Sequence, residues 1–236
     1  PDNKVESLGG AANVAANIQA TGAQANLVGV IGQDDNGGIL WDLCNEKGIE
    51  PHFEQDPIRQ TTTKLRYVDQ TGTVSFRADF ETKIPLNENV ENSLLDSAIY
   101  GCSAMVLSDY SKGVLTPRLS KALIERASEI DIISLVDPKP ENASNFYGAD
   151  VVRPNLKEAR EITGMENESW EEVGKALKEK MGCTYAVVTC AGDGMFCYSD
   201  KGFHTQQAIK KEVPNVSGAG DTTIAYLALS LAAGYN

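Results

Sequence analysis

The sequence predicts an α/β fold with three layers around a mainly parallel central sheet. Short apolar runs at 104–108, 132–136 and 185–189 alternate with longer amphipathic stretches. That is the pattern of βαβ crossovers, because a parallel strand needs a long connection to return to the same edge. Helix-start residues open the crossovers, as at Thr116-Pro117 and Pro154-Asn155. A chain of 236 residues is long enough to bury one full α/β core with a small appendage.

Taken in order, Gly9-Gly10-Ala11-Ala12-Asn13 reads as a glycine turn entering an alanine-rich helix, whose small residues allow close packing on a sheet. Asn13 falls on the first turn, where its amide either points at a polar ligand or bonds locally to the turn. A short apolar strand at 25–31 ends at Gly32, and Asp34 precedes a helix to about 47, stopped by Gly48. Residues 61–80 alternate about an Asp69-Gln70-Thr71-Gly72 turn and read as a β-hairpin set into the β/α pattern. Such a hairpin covers a site as a lid or pairs with a partner chain. Lys64, Arg66 and Arg77 lie on it, as solvated strand residues or as an anion clamp.

From 87 the pattern is regular. A helix to about 98 leads to the strand at 104–108 and the loop Asp109-Tyr110-Ser111-Lys112-Gly113. The next strand, 132–136, runs into Asp137-Pro138-Lys139-Pro140. A strand at 150–153 precedes the helix start at Asn155, and a further helix spans about 169–181. The strand 185–189 is followed by Cys190-Ala191-Gly192-Asp193-Gly194 and a strand at 195–198. Asp109, Lys112, Asp137, Lys139, Asn155, Glu158 and Thr189 all fall at carboxyl ends of strands, where open α/β sheets bind their ligands.

Near the end, Ser217-Gly218-Ala219-Gly220-Asp221 runs into an apolar helix. Glycines allow a tight turn and close approach to a ligand. The first N–H groups of the helix have no intrahelical partner and carry the positive end of its dipole, a cradle suited to phosphate. A carboxylate beside a phosphate makes chemical sense as a base for an attacking hydroxyl. The competing reading is that Asp221 caps a buried helix.

A net charge of −12 with no basic block argues against nucleic acid or an anionic membrane as the main partner. No apolar run reaches membrane-spanning length, and the first residues carry no signal-peptide pattern. Five cysteines without a C-x-x-C pair read as free thiols of a cytoplasmic protein. His52 and His204 read as loop or strand-end residues rather than ligands or bases.

The glycine stretches at the two ends together resemble the two signatures of the ribokinase-like (PfkB) carbohydrate kinases. Asn155-x-x-Glu158 is similar to that family's N-x-x-E motif, and Thr189-Cys190-Ala191-Gly192-Asp193-Gly194 to its T-x-G-x-x-G nucleotide loop. Ser108-Asp109-Tyr110-Ser111-Lys112-Gly113, Asp137-Pro138-Lys139, Arg153-Pro154-Asn155 and the hairpin end Arg77-Ala78-Asp79-Phe80-Glu81 resemble the heptose-7-phosphate kinase branch, often fused to a nucleotidyltransferase domain.

The resemblance implies phosphorylation of a sugar phosphate by ATP, at the anomeric hydroxyl for a heptose. ATP would lie near Asn155, Glu158, Thr189, Gly192, Gly194 and Ser217. Gly218, Ala219 and Gly220 would bind charge on the transferred phosphoryl group, and Asp221 would be the base. Asn155 and Glu158 would organise Mg²⁺ through water. Gly9, Gly10 and Asn13 would contact sugar hydroxyls, and Lys64, Arg66, Arg77 and Lys112 the sugar's phosphate. A monovalent cation near the glycine loop is implied by the resemblance alone, and a homodimer through the hairpin by its exposed edge.

Asn215 stands where the family usually has Asp, and Ala191 where it has Gly. Against the family pattern, residues 1–236 begin after its first strand and stop before its last helices. The expectation is one kinase domain with a lid at about 61–80, impaired when isolated. The alternatives are a kinase of an unphosphorylated sugar or nucleoside, or a non-catalytic module that keeps the fold.

Overall fold

The computed structural model describes residues 4–69, 73–99, 101–209 and 218–235. The glycine turn opens α1 (Ala11–Gln19), which leads to β1 (Asn26–Gly32), α2 (Asp35–Glu46) and β2 (Glu50–Asp56). The hairpin is β3 (Thr63–Val68) and β4 (Val74–Phe80), and its predicted turn at 70–72 lies outside the described residues. Then follow α3 (Glu88–Ala98), β5 (Ala104–Ser108), α4 (Pro117–Glu129), β6 (Ile133–Asp137) and β7 (Val151–Val152). The chain closes with α5 (Leu156–Thr163), α6 (Trp170–Met181), β8 (Tyr185–Thr189), β9 (Met195–Ser199), β10 (Gly202–Gln206) and α7 (Ala219–Ala232).

Helix starts follow the side-chain chemistry. Asn87, Thr116, Asn155 and Ser169 each accept a backbone N–H two or three residues into their helices. Gly164 and Gly182 end α5 and α6 in the left-handed conformation.

Six strands pair in the order β10-β9-β8-β7-β6-β5; β5 to β8 are parallel, and β9 and β10 are antiparallel additions. β1 and β2 form a separate parallel pair, and β3 and β4 an antiparallel one. Successive strand residues face opposite layers. Val136, Val152, Ala186 and Val188 pack with residues of α3 to α6, while Leu135, Val151 and Val187 pack with Val14 of α1 and Ile224, Ala225 and Ala228 of α7. Helices thus cover both faces, as expected.

Two strands depart from the sequence reading. β2 and β10 were not foreseen, because Glu50-Pro51-His52-Phe53-Glu54 and Phe203-His204-Thr205 lack apolar alternation. His52 and His204 therefore lie within strands, not in loops or at strand ends. Parallel pairing with β1 makes Glu50–Asp56 a strand despite its polarity.

The hairpin is fastened by Arg59, whose side chain is buried. Nη1 donates to Thr82 O at 3.1 Å and Lys112 O at 2.8 Å, and Nη2 donates to Ile84 O at 2.6 Å. Nε lies 3.4 Å from Asp56 Oδ2, an ion-pair contact rather than an aligned hydrogen bond. Both stems of the hairpin are thereby tied to the loop after β5. Gly113 completes the junction: its φ is +78° and a Cβ there would lie 2.2 Å from Ile84 O. Arg59→Ala would leave three partly buried carbonyls without this donor and Asp56 without its partner. The expected cost is about 3–5 kcal/mol, read as a lowered urea midpoint; an unchanged midpoint would refute the clasp.

Candidate active site

The loops leaving β5, β6, β7 and β8 stay bonded to one another beyond the strands. Asp109 N donates to Asp137 O at 3.1 Å, Arg153 N to Val136 O at 2.8 Å, and Thr189 N to Pro154 O at 3.2 Å. The buried Asp109 carboxylate accepts from Ser111 N at 2.8 Å, Lys139 N at 3.2 Å and Asn142 Nδ2 at 2.9 Å. Ser111 has φ +53°, which turns the loop sharply after Tyr110.

The α7 N-terminus meets this edge. Gly218 caps it at φ +86°, and among the described residues no side chain caps its first N–H groups. Asp221 lies in the first turn and is held from two sides. Asn13 Nδ2 donates to its Oδ2 at 2.7 Å, and the Tyr110 hydroxyl to its Oδ1 at 3.1 Å. Asn13 Nδ2 also lies 3.0 Å from where a Gly218 Cβ would sit, and the Tyr110 ring 3.3 Å from a Cβ on Gly10. Both signature glycine turns therefore converge on one carboxylate. Asp221 does not act as the helix cap; that position belongs to Gly218.

Beneath Gly220 lies the Arg153 guanidinium, which is 4 % exposed and paired with Asp137. A Cβ on Gly220 would stand 2.8 Å from Arg153 Nη1, so any larger residue would displace the guanidinium from this position. Among the described residues Arg153 Nε has no hydrogen-bond partner. Burial pushes the Asp137 carboxyl from 3.8 up to about 6, against the pull of Arg153. Nearby, Asn155 and Glu158 form a reciprocal capping box at the start of α5. The second Glu158 oxygen accepts from Lys139 Nζ at 2.6 Å. The N-x-x-E pair thus already satisfies itself, and among the described residues no cluster of three His, Cys, Asp or Glu stands ready for a metal.

A cleft of about 1160 Å³ opens between the α5 start, the loop after β8 and α7; Asn155, Thr189, Ala191, Gly194, Gly220 and Thr223 are among its walls. Its volume suits a nucleotide-sized ligand. Gly194 has φ +105° and would place a Cβ 2.0 Å from Gln206 O, which explains a glycine there. Gly192 sits in the short 3-10 turn Ala191–Asp193 and is exposed. Gly9 precedes the α1 cap, and Ser217 and Asn215 fall outside the described residues.

The four cations at the hairpin are not brought together as free charges. Arg77 makes two hydrogen bonds to Asp79, at 3.0 and 2.6 Å, and Lys112 pairs with Glu81. Lys64 faces Asp79 across the hairpin and Arg66 faces Arg77, all on one side; both Lys64 and Arg66 are exposed. Tyr110 and Arg153 are the site residues that sequence reasoning did not single out. For Tyr110 the available signal was its place between Asp109 and Lys112 in a loop at a strand's carboxyl end.

The raised Asp137 sets a pH dependence. Its contribution to stability is fully present below its unfolded value and is lost as pH rises through about 6. Stability should therefore fall by about 3 kcal/mol between about pH 4 and 7 from this group. Asp137→Asn should flatten that slope in urea unfolding series, whatever its absolute stability. Equal slopes in both proteins would refute the burial argument.

Residues 2–236 match the pfkB family carbohydrate kinases. The chain is 40 % identical over 238 aligned positions to the Bifunctional protein HldE of Nitrobacter winogradskyi, covering 97 % of this chain and 49 % of that protein. To the protein of the same name from Wolinella succinogenes it is 37 % identical, covering 98 % and 50 %. The chain spans about half the length of these relatives. The fold is similar to the tetrameric inhibited form of phosphofructokinase-2 from Escherichia coli, with a TM-score of 0.82, 19 % identity and coverage of 100 % of this chain and 82 % of that one. It is also similar to a putative sugar kinase from Clostridium perfringens, with a TM-score of 0.75, 22 % identity and coverage of 100 % and 77 %. Matching along nearly its whole length, with both glycine signatures at one carboxylate, the chain belongs to the pfkB family of carbohydrate kinases.

Proposed function

We propose that residues 1–236 act as one kinase domain that transfers a phosphoryl group from ATP to a sugar phosphate, with heptose 7-phosphate and its anomeric hydroxyl as substrate and acceptor. The observation that carries this reading is Asp221: a carboxylate at an open helix N-terminus, beside a nucleotide-sized cleft and held by donors on both oxygens. Asp221 accepts the proton of the sugar hydroxyl as that oxygen bonds the γ-phosphorus and the bond to ADP breaks. N–H groups of Gly218, Ala219 and Gly220 receive the charge that develops on the transferred group. Gly9, Gly10 and Asn13 border the sugar; Thr189, Gly192, Gly194 and Ser217 border the nucleotide.

Mg²⁺ would supply charge neutralisation between phosphates. Asn155 and Glu158 are bonded to each other's backbone, and Glu158 also accepts from Lys139, which fits contact through water rather than direct ligation. A monovalent cation near the glycine loop rests on family resemblance only. Free thiols among the described residues and an ATP substrate support a cytoplasmic setting. No described helix is long and apolar enough to cross a membrane. The bifunctional relatives support a further domain in the parent protein, read as a nucleotidyltransferase.

Lys64, Arg66, Arg77 and Lys112 are the candidates for the sugar's phosphate, which would take the place of Asp79 and Glu81. The neutralisation of Arg77 and Lys112 favours a second reading, an unphosphorylated sugar. An ADP-release assay with heptose 7-phosphate, fructose, ribose and adenosine decides between them. Asp221→Ala should lower kcat by about 10²–10⁴-fold with ATP binding retained, and Arg66→Ala with Arg77→Ala should raise KM for the phosphorylated sugar alone. Activity untouched by Asp221→Ala would sink the mechanism, and an unchanged KM the phosphate assignment.

The other face of the hairpin carries Leu65, Tyr67, Phe76 and Phe80, the last three about half exposed. We read it as a homodimer surface. Light scattering should give twice the protomer mass, falling to one on Phe76→Asp; a monomeric parent protein would refute it.

A further inference from the structure

We propose that Tyr110 is a positioning residue for the base, forming with Asn13 a two-point clamp that sets the plane of the Asp221 carboxylate. This rests on the kinase reading above. The last torsion of an aspartate is broad and nearly two-fold, so a carboxylate held at one oxygen still swings. Here each oxygen has its own donor: Asn13 Nδ2 on Oδ2 at 2.7 Å and the Tyr110 hydroxyl on Oδ1 at 3.1 Å. The two donors come from different elements, α1 and the loop after β5, so no single local movement frees both. The lone pairs that remain on each oxygen are thereby aimed, and one of them faces the reacting hydroxyl.

Tyr110 is itself placed rather than free. On one side, Asp109 is buried and accepts three hydrogen bonds. On the other, Ser111 at φ +53° donates through Oγ to Glu141 Oε1 at 2.7 Å. Lys112 O accepts from Arg59, and the ring rests against Gly10. Although Tyr110 is 38 % exposed, partial desolvation and the neighbouring Asp221 charge push the phenol above the usual tyrosine range, with Asp137 adding to the effect and Arg153 opposing it. The hydroxyl is therefore a dependable donor near neutral pH and does not compete as a base.

Tyr110→Phe keeps the ring against Gly10 and removes only the donor. It should lower kcat about 10- to 100-fold while leaving KM for ATP and the melting temperature unchanged. Asn13→Ala in the wild-type and Tyr110→Phe backgrounds should give non-additive losses, since the two donors act as a unit. Independently of turnover, a carbon-13 titration of the tyrosine ring should show Tyr110 ionising at lower pH in Asp221→Asn. An unchanged kcat in Tyr110→Phe, additive losses, or a titration indifferent to Asp221→Asn would each overturn the clamp. If the parent protein releases no ADP with any sugar, the kinase reading falls and takes the positioning role with it. The titration then still decides whether the Tyr110–Asp221 bond exists.

Discussion

Everything at the site depends on a guanidinium packed where a side chain is missing. Arg153 is buried beneath Gly220, in the space a Cβ would occupy. This contact sets how closely the start of α7 approaches the sheet edge, and so where Asp221 and the open N–H groups stand. Burying the charge is costly, and pairing with Asp137 offsets part of that cost. The upward shift of Asp137 reflects the burial of its carboxylate, which Arg153 only partly offsets. A glycine, an arginine and an aspartate from three separate segments thus work as one foundation.

The same economy of charge governs the hairpin. The protein carries a net charge of −12, so on the kinase reading an anionic substrate must meet local cations within an unfavourable overall field. On the charged side of the hairpin Lys64 lies opposite Asp79 and Arg77 beside it, Arg66 faces Arg77, and Lys112 of the loop after β5 pairs with Glu81. Exposed ion pairs contribute little to stability, so they exchange partners readily. On the kinase reading, Asp79 and Glu81 would keep the hairpin cations from binding stray anions strongly, while a phosphate fixed by the rest of its sugar would be a better competitor.

Much of this was legible in the residues because local chemistry decided it. β5 and β8 match their apolar runs, and Asn87, Thr116, Asn155 and Ser169 cap where their side chains indicate. The convergence of Asp109, Asp137, Asn155 and Thr189 followed from strand polarity. β2 and β10 were hidden because pairing, not composition, makes them strands. The engagement of Arg77 was within reach: residues two apart on a strand share a face, so Asp79 was its natural partner. The contact of Arg153 with Gly220 and the hydroxyl of Tyr110 on Asp221 were not, because each joins distant segments by a geometry only the folded chain defines.

The bond between Asn13 and Asp221 spans 208 positions of sequence. Closing so long a loop is among the entropically slower steps of folding, made only when its two ends dock. The α1 and α7 helices are those two ends, packed on one face of the sheet. An incompletely folded chain therefore has the acidic residue and the glycine turn but no amide to orient the one beside the other. On the kinase reading, the fold withholds an aligned base until it is complete, and a half-made molecule is poorly equipped to waste nucleotide on water.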